Sequence, residues 1–404
     1  MRSIRILRLL LITVAINSLL VNQLRAQQVV VDSSLLERIA QLEKQSAYKK
    51  SGEDFFMVSG LATFGFVVNK TTTSFGGVSQ VSKTNSLADA DHYEFSPMLL
   101  WRHGHKFLME FEPSFDGNAL GVNWAALSYF AAPGLIIRGG YFVLPFGTYS
   151  KRLAAGWIDK LPTDPTGVAD LPPGSDFGIE IEGGLPLGNM KWSYDVSLTN
   201  GHQLLPDGEI QSAGVVDNNN NKTITARLAL LPFSNSSLEI GVSGMFGKVG
   251  DAGSIYAGTK TNMYAVDLNY VKLFSPWLVN IKGQYNFINI DKQTYINPAD
   301  SSQYSFDNKT NTGFAQISLR PTGSGNKIIK NIEAAFRIGN FNTPKASLWG
   351  NKQTITEAGL LYWMSWRTVV KLGYSINNGT STSIGSEGQT IKSNSFILQF
   401  SILL

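Results

Sequence analysis

Alternation of apolar and polar residues along short segments is the feature that most restricts how this 404-residue chain folds. From Phe55 onward, segments of about ten residues alternate in this way, and each ends at a cluster of Gly, Pro, Asn or Ser. A β-strand turns successive side chains to opposite faces, so the pattern predicts strands with one apolar and one polar face. After Val21 no apolar run approaches the roughly 18 to 20 residues that a spanning helix needs. The chain is therefore either a soluble exported protein or a membrane protein built of strands.

Sixteen such segments can be counted, and an even number brings both ends of a closed barrel to the same side. The predicted strands begin near Phe55, Tyr93, Phe107, Gly121, Leu135, Phe177, Met190, Thr223, Ser237, Thr261, Trp277, Gly313, Asn331, Thr354, Arg367 and Ile391. In the fifteenth strand, for example, Val370 and Leu372 lie on the face opposite Lys371. The sequence predicts an all-β fold, a sixteen-stranded antiparallel transmembrane barrel with lipid outside and water inside.

The links between the predicted strands alternate between long and short, as they do in outer-membrane barrels with long outer loops and short periplasmic turns. Residues 69–92 are predicted as a long first loop, and 103–105 and 188–189 as tight turns. Only the brief outer link at 116–120 departs from this parity. The longest link, 146–176, follows the fifth strand and is therefore the third outer loop. A soluble β-sandwich has no reason to obey such a rule.

The N-terminal region predicts export. Residues 1–26 combine a basic start, an apolar run from Leu9 to Val21 and a small residue, Ala26, which is the pattern of a secretory signal peptide. Residues 27–50 carry apolar side chains at helical spacing and predict a short periplasmic coiled coil that organises an oligomer. A single frayed helix is the alternative for this segment. The barrel domain is then expected over residues 51–404.

Charge and composition exclude several functional classes. The predicted signal peptide holds four Arg and no acidic residue, so 34 minus 4 basic side chains face 30 acidic ones in the mature chain. That balance leaves a basic nucleic-acid surface unsupported, and nucleic acid is not an expected partner. Cysteine is absent, which excludes a disulfide framework and thiol chemistry.

Catalytic and metal-binding patterns are weak. No nucleophile elbow, phosphate-binding loop or dinucleotide-binding motif occurs. Glu110 and Glu112 share a strand face as a glycosidase pair does, but on a barrel strand they are more typical of a pore lining. His103 and His105 lie in a predicted turn without a third metal ligand nearby. The sequence therefore predicts neither an enzyme nor a cofactor or metal site.

The third outer loop is the predicted constriction. Its apolar residues, among them Leu153 and Trp157, have no use in a freely moving loop, so we expect it to pack against the inner wall and narrow the bore. On this hypothesis Lys151, Arg152 and Lys160 project into the pore and help set its selectivity. The alternative is that they are solvated loop charges, as charged residues mostly are.

Alternation also assigns charged side chains to the inner face of the wall. The predicted pore-lining residues are Arg102, Glu110, Glu112, Arg138, Glu180, Glu182, Arg227, Lys282, Arg320, Arg337, Arg367 and Lys371, and the further acidic candidates are Glu94, Asp195, Asp267, Glu333 and Glu357. The early wall is mostly acidic and the later wall mostly basic, which predicts a transverse field that favours polar solutes. Neutralisation between neighbouring strands is the alternative.

A family resemblance is visible where the fifth strand runs into the third loop. The chain reads Gly139-Gly140-Tyr141-Phe142-Val143-Leu144-Pro145-Phe146-Gly147 there, followed by Lys151-Arg152 and Trp157. This passage resembles that of the phosphate-selective porin O and P family of Gram-negative bacteria, and with the coiled coil and strand count the resemblance covers essentially the whole mature chain. It implies a homotrimer of sixteen-stranded barrels in the bacterial outer membrane, each with a constricting third loop.

The resemblance also implies a function. Some members of the family conduct anions past an arginine ladder and a lysine cluster, and here Lys151 and Arg152 stand in the matching loop. The expected function is passive diffusion of small polar solutes or inorganic anions, with phosphate as a sub-case, and the expected surroundings are outer-membrane lipid. An adhesion or surface-binding barrel without an open channel is the alternative, because the outer loops are rich in Asn, Thr and Ser.

Overall fold

The computed structural model describes residues 54–87, 93–171, 174–212, 214 and 217–404. The predicted signal peptide (1–26) and the predicted periplasmic helix (27–50) lie outside these residues. No helix in the described ranges combines the length and the apolar character needed to cross a membrane.

Almost all regular structure in the described chain is β-strand. The strands are β1 (Phe55–Phe75), β2 (Val78–Leu87), β3 (Glu94–His103), β4 (Phe107–Phe115), β5 (Leu120–Ala132), β6 (Leu135–Val143), β7 (Ser175–Leu187), β8 (Met190–Thr199), β9 (His202–Leu204), β10 (Ile210–Ser212), β11 (Thr223–Leu231), β12 (Leu238–Lys248), β13 (Lys260–Phe274), β14 (Trp277–Ile290), β15 (Thr294–Ile296), β16 (Gln303–Ser305), β17 (Lys309–Arg320), β18 (Ile332–Asn342), β19 (Asn351–Trp363), β20 (Thr368–Ser381) and β21 (Thr390–Leu403). Two short helical turns, Tyr149–Leu153 and Ile329–Asn331, lie between strands.

One antiparallel sheet closes on itself to form the barrel. Along one edge β1 pairs with β21, and along the other it pairs with β3 in its first half and β2 in its second half. Because β2 and β3 share one position beside β1, the 17 strands of the sheet fill sixteen positions around the barrel. The short pairs β9–β10 and β15–β16 belong to outer loops. The predicted sixteen-stranded antiparallel barrel is confirmed.

Alternation along each strand separates an inner from an outer face. In β11, Leu228 is exposed outward while the neighbouring Arg227 is buried inward. All strand carboxylates of the described chain lie on inward faces: Glu94, Glu110, Glu112, Asp176, Glu180, Glu182, Asp195, Glu239, Asp267, Glu333 and Glu357. The outer face therefore carries no strand carboxylate, as a surface in contact with lipid requires.

The outward side chains form a continuous apolar belt. Val266 is 52% exposed and Leu398 is 44% exposed, and the other outward Leu, Ile, Val and Phe side chains are exposed to a similar degree. An apolar surface of this extent is unusual on a soluble monomer, whereas lipid makes it favourable. Closed antiparallel barrels with such a belt are the outer-membrane type, so the predicted bacterial outer-membrane location is also confirmed.

The prediction of a long first loop at 69–92 was wrong over most of that length. β1 continues to Phe75 and β2 returns to Leu87, so a β-hairpin extends the barrel wall. Gly76 and Gly77 form its two-residue turn with φ values of +58° and +81°, as the favoured hairpin turns require. The hydroxyl-rich sequence concealed this strand, because Thr and Ser suggest a loop although Thr favours extended backbone.

An apolar core fills part of the outer end of the barrel. Inward side chains of the wall pack there with side chains of the outer loops, which fold inward rather than away from the barrel. The wall contributes Phe142, Met245, Met263, Ala265, Ile288 and Ile290, and the loops contribute Leu204, Tyr256, Tyr295 and Phe306. The sequence-based expectation of a polar inner face therefore holds for the middle of the barrel and not for this end.

Candidate functional site

The third outer loop (residues 144–171 and 174, called the third loop below) lies inside the barrel between β6 and β7. Leu161 is 1% exposed and packs against Ala335, Leu361, Trp363 and Val369, which are inward side chains of β18, β19 and β20. Because β6 and β7 are far from these strands in barrel order, the loop crosses the lumen to reach them.

A second apolar cluster holds the start of the third loop. Tyr149, Leu153 and Val168 of the loop are buried against Phe314 of β17. The rings of Tyr149 and Phe314 meet edge to face with their centroids 5.6 Å apart. Such a pair adds stabilisation of about 0.5–1.5 kcal/mol beyond burial alone, so this contact helps to fix where the loop enters the lumen.

Wall side chains satisfy the backbone of the third loop. Lys282 Nζ donates to the carbonyl oxygen of Ile158 over 2.8 Å. Lys371 Nζ donates to the carbonyl oxygen of Leu161 over 3.1 Å. A loop buried without regular structure leaves such carbonyl groups unpaired, and two of the predicted pore-lining lysines serve to pair them. Gln399 Nε2 does the same for Pro162 over 3.1 Å.

The entry turn of the third loop is held through its N–H groups. Gln284 Oε1 accepts hydrogen bonds from Thr148 N at 2.8 Å and Tyr149 N at 2.9 Å. Ser243 Oγ accepts one from Gly147 N at 2.9 Å. Both acceptors are inward side chains, on β14 and β12, so the wall fixes the loop at its entry as well as at its far end.

Lys151, a predicted selectivity residue, is enclosed by carboxylates. Its Nζ lies 2.7 Å from Glu180, 2.9 Å from Glu182 and 3.6 Å from Asp195, and its side chain is only 9% exposed. Oxygens of these three carboxylates lie within 4.8 Å of one another, close enough to hold a metal ion. Lys151 occupies that position, so its charge neutralises the wall instead of standing free in the lumen.

Arg138 neutralises two of these carboxylates, Glu180 and Glu182, from the wall. It pairs with Glu180, lies 2.7 Å from Glu182 and 3.7 Å from Glu110, and places its guanidinium 5.1 Å from the centre of the Trp124 ring. Removing one partner of such an enclosed network leaves uncompensated charge, which costs about 3–5 kcal/mol.

The pairs continue along the next strands. Arg152 lies 3.1 Å from Asp195 and 3.0 Å from Glu239, and it remains 36% exposed. Arg227 lies 2.8 Å from Glu239 and 2.5 Å from Asp267. Opposite charges on this side of the lumen are thus paired between neighbouring strands and the third loop, which is the arrangement considered as the alternative to a transverse field.

A second ionic cluster holds the middle of the third loop. Arg337 lies 3.2 Å from Asp159 of the loop and 2.7 Å from Glu357 of β19. It also donates to the carbonyl oxygen and the hydroxyl of Thr163. The Tyr149 hydroxyl lies 2.8 Å from Asp159 Oδ2 and 2.7 Å from Asp164 Oδ1.

One phenol cannot donate to two carboxylates. Tyr149 has a single hydroxyl hydrogen, so both contacts are hydrogen bonds at the same time only when one of the two carboxyl groups carries a proton of its own. Burial alone raises the pKa of Asp159, but Arg337, Lys371 and Lys282 outweigh it and hold that pKa below its usual value. Asp159 is therefore the anion, and Asp164 is the group that takes up the proton.

The pKa of the second carboxyl agrees with this assignment. Burial inside the barrel, followed by the charge of Asp159, raises the pKa of Asp164 to about 6. Asp164 is also exposed to the lumen, and water there screens part of this rise in pKa. The shared Tyr149 hydroxyl favours the protonated form of Asp164 from geometry alone, which is a shift in the same direction. Burial, with the charges of both carboxylates, raises the pKa of Tyr149 well above its ordinary value, so the phenol keeps its proton.

Lys160, the third predicted selectivity residue, also has partners. Its Nζ lies 3.6 Å from Glu333 and 4.6 Å from the centre of the Trp363 ring. Trp363 Nε1 in turn donates to Glu333 over 2.7 Å. The guanidinium of Arg320 lies 5.3 Å from the same ring. These contacts place Lys160 against the wall.

Two predicted pore-lining residues lie away from the third loop. Arg102 is exposed at the end of β3 and donates to the carbonyl oxygen of Gly104. Arg367 lies in the short turn before β20, with its guanidinium 4.4 Å from the centre of the Trp366 ring. Both are near the end of the barrel at which β1 begins and β21 ends.

One stretch of wall has no polar contact with the third loop. Within the described residues, neither a hydrogen bond nor an ion pair joins the loop to β3, β4 or β5. The inward carboxylates there, Glu94, Glu110 and Glu112, are half-buried. Asn123 Nδ2 lies within 3.4 Å of Glu94 and Glu112. A charged strip of wall thus faces the side of the lumen that the loop does not bind.

Several residues of the site were not predicted from the sequence. Glu239 and Gln284 lie on inward faces, so the alternation of β12 and β14 carried the signal that finds them. No sequence signal marked Tyr149, Asp159 and Asp164, because a loop has no apolar–polar alternation. Their partners depend on how the loop crosses the lumen, which is set by contacts far apart in sequence.

Solved structures with a similar fold are known. The outer membrane channel DcaP of Acinetobacter baumannii matches with a TM-score of 0.56 at 12% identity, over 88% of this chain and 99% of that one. The anion-selective porin from Comamonas acidovorans matches with a TM-score of 0.53 at 13% identity, over 87% of this chain and 100% of that one. The chain has the porin fold. No protein-family model matches the sequence, and no curated protein is detectably similar.

Proposed function

We propose that the protein is an outer-membrane porin through which small hydrophilic solutes or ions diffuse passively. The observation that carries this proposal is the charged inner face of a closed barrel whose outer face is apolar. Such an interior suits water and polar solutes. The likeness to channels and porins shows the fold alone and supports the proposal only in that sense.

The third loop is the proposed constriction. It crosses the lumen and binds β14 and β17 to β20, and it leaves the inner face of β3 to β5 without polar contacts. We therefore place the path for solutes between the loop and this strip of wall, where Glu94 and Glu112 are half-buried. Lys151, Arg152 and Lys160 then form the far side of the constriction.

Selectivity is proposed to be weak. An anion or phosphate preference, the sub-case suggested by the family resemblance, needs unpaired cations at the narrowest point. Lys151 lies within 3.6 Å of three carboxylates, and Arg152 lies within 3.1 Å of two. Their positive charge is therefore largely cancelled, and a strong phosphate preference is the less supported form of the proposal.

Liposome swelling tests the proposal. Vesicles that contain the purified protein are placed in isotonic solutions of neutral sugars of increasing size, and the swelling rate reports entry of the sugar. We expect swelling that declines steadily with sugar size, as for diffusion through a water-filled pore. A folded, inserted protein that admits no sugar of any size overturns the proposal.

One observation favours a second candidate function, a surface-binding or adhesion barrel with no open channel. The apolar core at the outer end packs Leu204, Tyr256 and Tyr295 of the outer loops against the inner wall. The hairpins β9–β10 and β15–β16 give these loops a defined shape, which suits partner binding. In the same swelling experiment this candidate predicts no sugar entry.

The assembly proposed is a homotrimer in outer-membrane lipid. The outward faces of β14 and β17 carry the small residues Gly283, Gly313 and Ala315, which form a shallow groove beside Tyr285. A flat face of small side chains lets a neighbouring barrel approach closely. Native mass spectrometry of the detergent-solubilised protein tests this, and an Ala315→Trp variant, which fills the groove from an exposed position of β17, is expected to be monomeric if the groove lies in the interface.

A further inference from the structure

The charged residues on the outer face of the barrel have one sign. Among the Asp, Glu, Lys and Arg residues of the described strands, every one whose side chain faces outward is a lysine. Seven of these lie at the outer end of the barrel and are called the rim lysines: Lys70, Lys83, Lys248, Lys260, Lys309, Lys352 and Lys392. One more, Lys272, lies outward at the opposite end. Composition does not explain this, because the chain holds 34 basic and 30 acidic residues.

Two pairs of rim lysines stand directly opposite each other on paired strands. Lys70 of β1 is the register partner of Lys83 of β2. Lys248 of β12 is the register partner of Lys260 of β13. Like charges in directly opposed positions of an antiparallel pair destabilise it, so these arrangements are unfavourable unless an anion lies between them.

The rim lysines lack carboxylate partners among the described residues. Ion pairs near this end of the barrel join loop residues instead, such as Lys345 with Glu387 at 3.5 Å. Among the described residues, the one side-chain carboxylate that is hydrogen-bonded to a rim lysine is Asp291. It accepts from the backbone N–H of Lys260 at 3.1 Å and not from its ammonium group. The ammonium groups remain available to a ligand.

Lys392 extends the first pair into a cluster of three. Thr72 of β1 is the register partner of Lys392 of β21, and Lys70 is the partner of Asn394. Lys392 is therefore diagonal to Lys70, and both lie on the outward face with Lys83 on the strand beyond. Three ammonium groups on three adjacent strands match a phosphate, which accepts several charge-assisted hydrogen bonds.

The apolar belt begins directly below the rim lysines. Along β13, Lys260 shares its face with Tyr264 and Val266, which are about half exposed. Along β21, Lys392 shares its face with Phe396 and Leu398. An anion bound at the rim with acyl chains attached would lay them on this belt, whereas a free inorganic anion would gain the charge contact alone. The surface therefore fits an amphiphile.

We propose that the rim lysines bind the phosphate groups of anionic lipids in the outer leaflet. The binding neutralises the opposed lysine pairs and fixes the height of the barrel in the bilayer. This inference goes beyond the proposed channel function and does not depend on whether the lumen conducts. Juxtamembrane lysines of this kind attract anionic lipid with an energy that falls as salt is added.

Native mass spectrometry with defined lipids tests the proposal. The protein in neutral detergent is titrated with phosphatidic acid or with phosphatidylcholine of the same acyl chains, and the retained lipids are counted. We expect clear preference for phosphatidic acid. The variants K70Q/K83Q/K392Q and K248Q/K260Q should weaken its binding about fivefold for each lysine removed. K272Q, which removes the outward lysine at the opposite end, is the matched control and should bind as wild type.

Three results overturn the proposal. These are equal retention of the two lipids, a loss in K272Q as large as in the rim variants, and displacement of phosphatidic acid by inorganic phosphate at matched concentration, which would identify a site for a soluble anion. Heat-modifiable gel mobility of each variant shows whether the barrel is folded. A variant that fails this check is replaced by its single substitutions, such as K260Q alone.

Discussion

At the scale of single residues, the third loop is held by a chain of hydrogen bonds that links Asp164, Tyr149 and Asp159. Both bonds of Tyr149 form only when one of the two carboxyl groups is protonated. The Tyr149 hydroxyl contacts both Asp159 and Asp164, and Asp159 pairs with Arg337 of the wall. In its protonated form Asp164 donates to the Tyr149 oxygen, and Tyr149 then donates to Asp159. The chain joins two ends of the loop, because Tyr149 lies at its entry and Asp164 lies beyond the far turn. We therefore expect the stability of the packed loop to depend on whether this proton is present.

A pH dependence of stability follows for Asp164. The packed loop favours the protonated carboxyl, so this residue contributes most below the ordinary aspartate pKa of about 4, and its contribution falls as the pH rises through about 6. Asp164→Asn keeps the neutral form at every pH. We expect the variant to match wild type near pH 4 and to be more stable near pH 7, measured by urea unfolding of the membrane-inserted protein.

Asp170→Asn is the matched control for this comparison, because Asp170 lies in the same loop and accepts from the Gly167 N–H instead of contacting Tyr149. Its difference from wild type should not follow the same pH course. A difference between wild type and Asp164→Asn that stays constant with pH would contradict the shared proton.

Lys151 and Arg152 give the second prediction at this scale. Together they neutralise Glu180, Glu182, Asp195 and Glu239, with help from wall arginines. Replacing both with Ala leaves these acids in excess, so the reversal potential in asymmetric KCl should shift towards cation selectivity. The exposed loop residue Lys345, changed to Ala, is the control and should leave it unchanged. An unchanged ion preference in the double variant would contradict the constriction hypothesis.

At the scale of elements, the strands were predictable and the loops were not. Alternation is a local signal, so the starts of β4, β6, β8, β11 and β14 coincide with the predicted residues. The same signal assigned Arg138, Arg227, Arg337 and Lys371 to the inner face. It failed where polar residues form strands, as in the β1–β2 hairpin, because Thr and Ser conceal extended backbone.

The alternation could not predict which side chains fill the lumen. Met245 and Met263 lie on inward faces at the outer end, where alternation predicts polar lining. Outer loops cover them with Leu204 and Tyr295, and which loop residue meets which strand depends on contacts far apart in sequence. Lys151 illustrates the same limit, since its place in the third loop was visible but its three carboxylate partners were not.

The position of the third loop can be tested directly by cross-linking. A Cβ built on Gly156 lies 3.0 Å from Ser401 Oγ of β21, near enough for a disulfide once both residues are Cys. The chain has no other cysteine. We expect G156C/S401C to form the bond on oxidation, as shown by loss of free thiol, and to conduct equally when oxidised and reduced.

The pair G174C/S401C is its matched control, because Gly174 lies beside β7, which is not a neighbour of β21 in the barrel, and no bond is expected. Free thiols that persist in oxidised G156C/S401C would show that the loop lies elsewhere. A large rise in conductance on reduction would show that the loop moves away when the channel conducts.

At the scale of the whole molecule, the outer face of the wall is in contact with lipid and the inner face with water. A charged side chain added to the outer face lowers the free energy of unfolding most at the middle of the bilayer and little at its edge. Leu228→Arg, midway along β11, should lower the free energy of unfolding by about 2–4 kcal/mol, and Thr354→Arg, near the outer end of β19, by about 0–1 kcal/mol. Urea unfolding in lipid vesicles measures both, and equal costs would contradict the proposed position of the bilayer.

We propose above that this closed barrel encloses a water-filled path beside its third loop. Single-channel recording of the purified protein in a planar bilayer tests it most directly. We expect stepwise insertions with a current proportional to voltage, and a smaller step when the proposed path is narrowed by Glu112→Trp. Folded protein that inserts into the bilayer and carries no current would contradict the claim.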